Sequence, residues 1–132
     1  MKKNLALIIA GAFLTLAISS TAFAFDKGDR VLGLWEDAYW YPATVVKIDG
    51  KILTLAFDDG DKATFDPERV NSLDWEAGDK VECRWPGDNK NYPGVLVKRN
   101  GDKVRIVYDD GDKADLSIDK CRQSRAARLV GK

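Results

Sequence analysis

The chain contains one motif twice. Gly28-Asp29, Val31 and Trp35 recur 50 positions later as Gly78-Asp79, Val81 and Trp85. After one inserted residue the offset becomes 51, and Tyr41-Pro42, Gly50 and Phe57 return as Tyr92-Pro93, Gly101 and Tyr108. The string DDGDKA at 58–63 is repeated unchanged at 109–114. A period near 50 residues marks a duplicated supersecondary unit, so any architecture must be assembled from two copies of one small motif.

Each copy has the signature of short strands. Leu53, Leu55 and Phe57 alternate with Ile52, Thr54 and Ala56, and Val104, Ile106 and Tyr108 alternate with Lys103, Arg105 and Val107, a period of two. Asp49-Gly50 and Asn100-Gly101 fall between strand-like runs and suit tight hairpins; Asp59-Gly60 and Asp110-Gly111 supply a second turn. Five strands per copy are expected, near 30–35, 42–48, 52–57, 61–65 and 69–73, then the same set shifted. A unit this small buries a modest core, and closing its sheet into a barrel removes exposed edges. The expected class is therefore all-β, two tandem five-stranded barrels meeting around Leu73 to Gly78, with Trp75 wedged at the joint.

The ends read differently. Lys2 and Lys3, the apolar run Leu5 to Ile18 and the small-x-small pattern Ala22-Phe23-Ala24 form a secretory signal peptide. The run is shorter than the roughly 20 residues of a membrane-spanning helix. The expected division is a leader over 1–24, barrels over 25–75 and 76–124, and a basic tail over 125–132, with the product periplasmic or secreted and without a membrane span. Residues 25–75 carry 11 acids and 6 bases, residues 76–132 carry 10 acids and 13 bases, so no general basic excess favours nucleic acid. The tail's Arg122, Arg125, Arg128 and Lys132 fit a solvated or disordered terminus better than an anionic-surface anchor. With no His, no phosphate-cradling loop and no activated Cys, catalysis is not expected. The DDGD acids lack the spacing of a calcium loop and read as turns, so neither metal nor cofactor is expected.

Taken together, GDRVLGLW, YPATVVKIDG, LAFDDGD and RVNSL resemble a Tudor domain, and GDKVECRW, YPGVLVKRNG, VYDDGD and KCRQS resemble a second, covering nearly all of 26–124. The resemblance implies SH3-like barrels, many of which hold methylated lysine or arginine in an aromatic cage. In a meander, the end of strand one, the start of strand two and the end of strand three share one rim. Trp35, Tyr41 and Phe57 should then converge beside Asp59 and Asp61, and Trp85, Tyr92 and Tyr108 beside Asp110 and Asp112. Ring faces edged by carboxylates attract cations. Where many such cages carry a fourth aromatic, this chain has the DDGD turn. Copy one, more acidic and with Trp40 in a loop expected to overhang the rim, is the favoured site.

Three function classes follow: a reader of cationic or methylated side chains on a protein or peptide, or of small quaternary ammonium ligands; an interaction adaptor for a peptide or cell-envelope partner whose rim aromatics only plug the core; and a nucleic-acid binder. First and last strands pair in SH3-like barrels, which places Cys83 opposite Cys121, where copy one has Gly33 and Val70, and a disulfide is expected between them. Oligomeric state is left open.

Overall fold

The computed structural model describes residues 25–131; the leader expected over 1–24 lies outside the described residues. Ten strands follow one another: β1 (Arg30–Leu34), β2 (Tyr39–Asp49), β3 (Ile52–Phe57), β4 (Lys62–Phe65), β5 (Val70–Ser72), β6 (Lys80–Arg84), β7 (Asn91–Asn100), β8 (Lys103–Tyr108), β9 (Lys113–Ser117) and β10 (Cys121–Ser124). A helix, α1 (Arg125–Gly131), ends them. No helix among the described residues is long and apolar enough to cross a membrane.

All pairings are antiparallel. β1 lies between β2 and β5, and β6 lies between β7 and β10, so each repeat curls its first strand against its last. The fold is all-β, with two five-stranded Tudor-like units. Both long second strands carry a bulge at the same place, Val45/Lys47 and Leu96/Lys98, which bends a strand sharply enough to serve a curled sheet. The hairpin loops sit one residue later than expected. Asp49 pairs Ile52 and Asn100 pairs Lys103, leaving Gly50-Lys51 and Gly101-Asp102 as the loops, with φ of 63° and 64° at the glycines. Glycine at the first loop position is the pattern of a II′ turn.

The repeats are also sewn to each other. β10 pairs β2 through Gln123↔Trp40 and Ser124↔Tyr39, making one ten-stranded sheet. β1 is buried on both faces: Val31 enters the first repeat's core, whereas Leu32 and Leu34 pack with Val81, Leu96, Ile106 and Ile118 of the second. Trp75 is 2% exposed in that second core, as its place at the joint led one to expect, and its indole donates to Gln123 Oε1 at 3.0 Å. Gln123 Nε2 donates to the Lys80 carbonyl, and Arg99 donates to the carbonyls of Leu73 and Trp75, so the connector is held by buried polar contacts as well as apolar ones.

Two expectations are corrected here. Trp40 does not overhang the rim; β2 starts at Tyr39, so Trp40 points into the shared core, 5% exposed, with Nε1 lacking an acceptor among the described residues. The tail does not trail away either: residues 125–131 form α1, and Arg128 pairs with Asp74 at 3.0 Å while lying 5.6 Å over the Trp40 ring. Arg128 covers apolar surface as it neutralises a carboxylate, which an unfolded tail would forgo.

Cys83 and Cys121 form a disulfide across directly opposed positions of β6 and β10. In copy one a Cβ on Gly33 would lie 2.8 Å from Leu55 Cδ1 and 3.2 Å from Phe57 Cζ, so aromatic bulk fills the space that sulfur fills in copy two. Phe65 at that site corresponds to Leu116, the smaller residue that leaves room for the bridge.

Candidate functional site

The rim of each repeat is shaped by the loop between its first two strands. In copy one the Trp35 N–H donates to the Tyr39 carbonyl, Asp37 Oδ1 accepts from the Tyr39 N–H at 2.9 Å, and Ala38 takes φ 68°. Copy two repeats this with Trp85 to Lys90, Asp88 Oδ1 to the Lys90 N–H at 3.0 Å, and Asn89 at φ 59°. The second carboxylate oxygen then fixes the rim tyrosine: Tyr41 donates to Asp37 at 2.6 Å, Tyr92 to Asp88 at 2.5 Å. Sequence reasoning missed these aspartates. Their signal was the pattern Asp-x-x-x-Tyr-Pro, present in both copies.

The acidic turns are equally alike. Asp59 Oδ1 accepts from the Asp61 N–H and Asp110 Oδ1 from the Asp112 N–H, each at 2.9 Å, with Gly60 at φ 99° and Gly111 at φ 93°. One oxygen of Asp59 and of Asp110 thus serves the turn.

The structure brings all ten expected rim residues to two clefts, one per repeat. The aromatics divide into floor and wall. Phe57 and Tyr108 are buried floors, with Trp35 5.2 Å from Phe57 and Trp85 5.6 Å from Tyr108, centroid to centroid. Trp35 also meets Phe65 edge-on at 5.4 Å, and the Tyr108 hydroxyl donates to the Arg84 carbonyl. Trp35, Tyr41 and Trp85 are half-buried and Tyr92 is 38% exposed, so these four keep accessible surface at the clefts.

Their charges differ in a way the linear sequence conceals. The first cleft, about 280 Å³, is lined by Asp58, Asp59 and Asp61 from copy one but also by Arg84, Asp119, Lys120 and Arg122 from copy two. Arg122 bridges the repeats, donating to Glu82 at 3.1 Å and to the Tyr41 hydroxyl at 3.2 Å, with its guanidinium 3.9 Å over the Tyr39 ring. Arg30 pairs with Asp58 at 3.2 Å and so occupies one of the rim acids. The second cleft, about 360 Å³, carries Asp88, Asp109, Asp110 and Asp112, and no basic side chain lines it. Counting charges along the chain makes copy one the more acidic; in the fold, the cleft whose charged lining is all acidic is that of copy two.

Titration behaviour follows the same contacts. The hydrogen bond from Tyr92 holds the Asp88 carboxyl below the ordinary aspartate range, and the same bond raises the Tyr92 phenol. Burial, then the bond to Asp37, raises Tyr41, and burial raises Tyr108. Tyr39 is raised chiefly by its hydrogen bond to Glu82.

No family model matches this chain, and no curated protein matches it in sequence. Among solved structures it is similar to the Crb2 tandem tudor domains, with a TM-score of 0.60 at 17% identity over 80% of this chain and 85% of that one. A second match, Arabidopsis thaliana AGDP1 AGD34, has a TM-score of 0.37 at 17% identity over 85% of this chain and 89% of that one. The likeness to the Crb2 structure is one of fold: this chain is all-β, with a tandem Tudor-like arrangement of strands.

Proposed function

We propose that this protein is a non-enzymatic binding module, exported after loss of residues 1–24, that recognises cationic groups, methyl-bearing ammonium groups among them, on a protein or peptide partner. The supporting observation is the second cleft, where Trp85, Tyr92 and the buried Tyr108 line one space with four aspartates and, among the described residues, no basic side chain. A methylated ammonium sheds water more easily than a bare one and gains from the ring quadrupole and the acidic edge together. The pocket is open, so each good ring contact contributes about 0.5–2 kcal/mol and one cleft alone binds weakly, around millimolar.

Titration of trimethyllysine peptides and tetramethylammonium, followed by NMR, tests this. Resonances of Trp85 and Tyr92 should move, and Trp85→Ala should abolish the shift. An unmoved rim would leave the adaptor reading, which the buried Phe57 and Tyr108 favour, because those two rings act as core plugs whatever else the rim does.

A further inference from the structure

The first cleft is built of two unlike halves. Copy one contributes Trp35, Tyr41 and the carboxylates Asp59 and Asp61; copy two contributes Arg84 and Lys120, with the paired Arg122 and one acid, Asp119. Among the described residues, the ion pairs use Arg30, Arg105, Arg122 and Arg128 as their cations, and neither Arg84 nor Lys120 takes part in one. Among the described residues the Arg84 side chain makes one hydrogen bond, a long one of 3.5 Å to Asn89. Asp59 and Asp61 line the same cleft and form no ion pair among the described residues either. Opposite charges therefore line one cleft of about 280 Å³ without pairing with each other.

A purely cationic ligand meets repulsion from Arg84 and Lys120 here, and a purely anionic one meets repulsion from Asp59 and Asp61. A ligand carrying both charges on a short frame satisfies both walls. We propose that the first cleft binds a small zwitterion, with a quaternary ammonium against Trp35 and Tyr41 and a phosphate or carboxylate held by Arg84 and Lys120. The volume lies just below the roughly 300–1,000 Å³ of ordinary ligand pockets, which suits a group of headgroup size. Arg84 offers a planar fork for an oxyanion and Lys120 a mobile point charge, so either anion can be taken. This rests on the aromatic rims being ligand surfaces, as read above, and adds that the two clefts have different ligands.

The experiment compares phosphocholine, glycine betaine, tetramethylammonium and inorganic phosphate by NMR titration of the whole exported chain, using the Trp35 and Trp85 indole signals to report the two clefts separately. At Trp35, phosphocholine or glycine betaine should bind about tenfold more tightly than tetramethylammonium, and the exposed pair Arg84→Ala with Lys120→Ala should remove that advantage. At Trp85 the zwitterions should gain nothing over tetramethylammonium, and Lys120→Ala alone should change nothing. Competition by phosphatidylcholine vesicles would place the headgroup on a lipid, and its absence, with free phosphocholine still bound, would place it on a soluble compound; the proposal stands in both cases. Equal affinity of zwitterion and tetramethylammonium at Trp35, or an advantage that survives the double variant, overturns it. In that event a Trp85 response to tetramethylammonium keeps the cation-binding function intact, whereas silence at both indoles overturns both.

Discussion

Ala38 holds a φ of 68°, a region where a Cβ crowds the following carbonyl, whereas its counterpart Asn89 holds 59° with a side chain suited to it. The Asp37 turn imposes this, because Asp37 Oδ1 must reach the Tyr39 N–H and Oδ2 the Tyr41 hydroxyl. Ala38 is exposed, so replacement disturbs no packing. Ala38→Asn is expected to stabilise the protein by up to about 1 kcal/mol, read as a higher urea midpoint. The partner contact in copy two is testable by acid titration. The folded Asp88 carboxyl lies below its ordinary value, so its bond to Tyr92 favours the folded chain above the ordinary aspartate range and ceases to do so as pH falls through the lowered value. Tyr92→Phe should move the Asp88 carboxyl titration up towards the ordinary aspartate range, with the Lys90 N–H keeping part of the lowering; an unchanged curve would assign the whole shift to the turn's backbone N–H groups. These aspartates were hard to read from sequence for a physical reason. Asp is common in turns, and only the repeated four-residue spacing to a tyrosine distinguishes Asp37 and Asp88 from Asp49 or Asp66.

At the scale of elements, β1 and β6 show how one strand template was adapted twice. Val31 and Val81 face the core of their own repeat, as alternation required, but Leu32 and Leu34 stand where copy two has Glu82 and Arg84. That contrast was legible: apolar outer positions in one copy and charged ones in the other mean that only the first has its outer face covered. What was not legible is the covering element, because pairing of β10 with β2 is a long-range event that no local pattern encodes. Trp40 was misplaced for the same reason. The closure of each barrel is open to two tests. Gly33→Ala pushes a methyl to 2.8 Å from Leu55 and should destabilise by about 1–3 kcal/mol in urea denaturation. Reduction of Cys83–Cys121, which closes a loop with a separation of 38 residues, should lower stability by roughly 4 kcal/mol in the chain-entropy model. The combination Cys83→Gly, Leu116→Phe and Cys121→Val, which rewrites copy two's closure in copy one's residues, should recover part of that loss without a bridge; no recovery would mean that the sulfur atoms fill space the phenylalanine cannot reach.

Taken whole, the molecule joins its repeats through one of its two cores. Leu32, Leu34, Trp40, Leu73 and Trp75 share a cluster with Val81, Leu96, Ile106 and Cys121, so the second repeat's core is built partly from the first, while Val31, Val45, Leu55 and Phe57 form a cluster within the first repeat alone. Thermal unfolding followed at Trp35 and at Trp85 should therefore coincide, and two separate midpoints would show that the shared sheet contributes little. Duplication and strand order were readable from the sequence, as were the ten rim residues that meet in the two clefts. The electrostatics of the first cleft were not, since Arg84 and Lys120 lie in the repeat opposite to the carboxylates they face.

The stitching strand also sets a schedule. Trp40 and Gln123 are about eighty residues apart in the chain, so the surface formed by Leu32, Leu34 and Trp40 stays wet until the strands of the second repeat arrive. A ribosome or a pore that delivers the polypeptide from its N-terminus releases the first repeat long before its cover. During that interval the half-made protein presents a sticky apolar face and the free edge of β2, the kind of surface that holding chaperones bind. The arrival of the second repeat, rather than the folding of the first repeat's hairpins, then sets how long that face is open to aggregation.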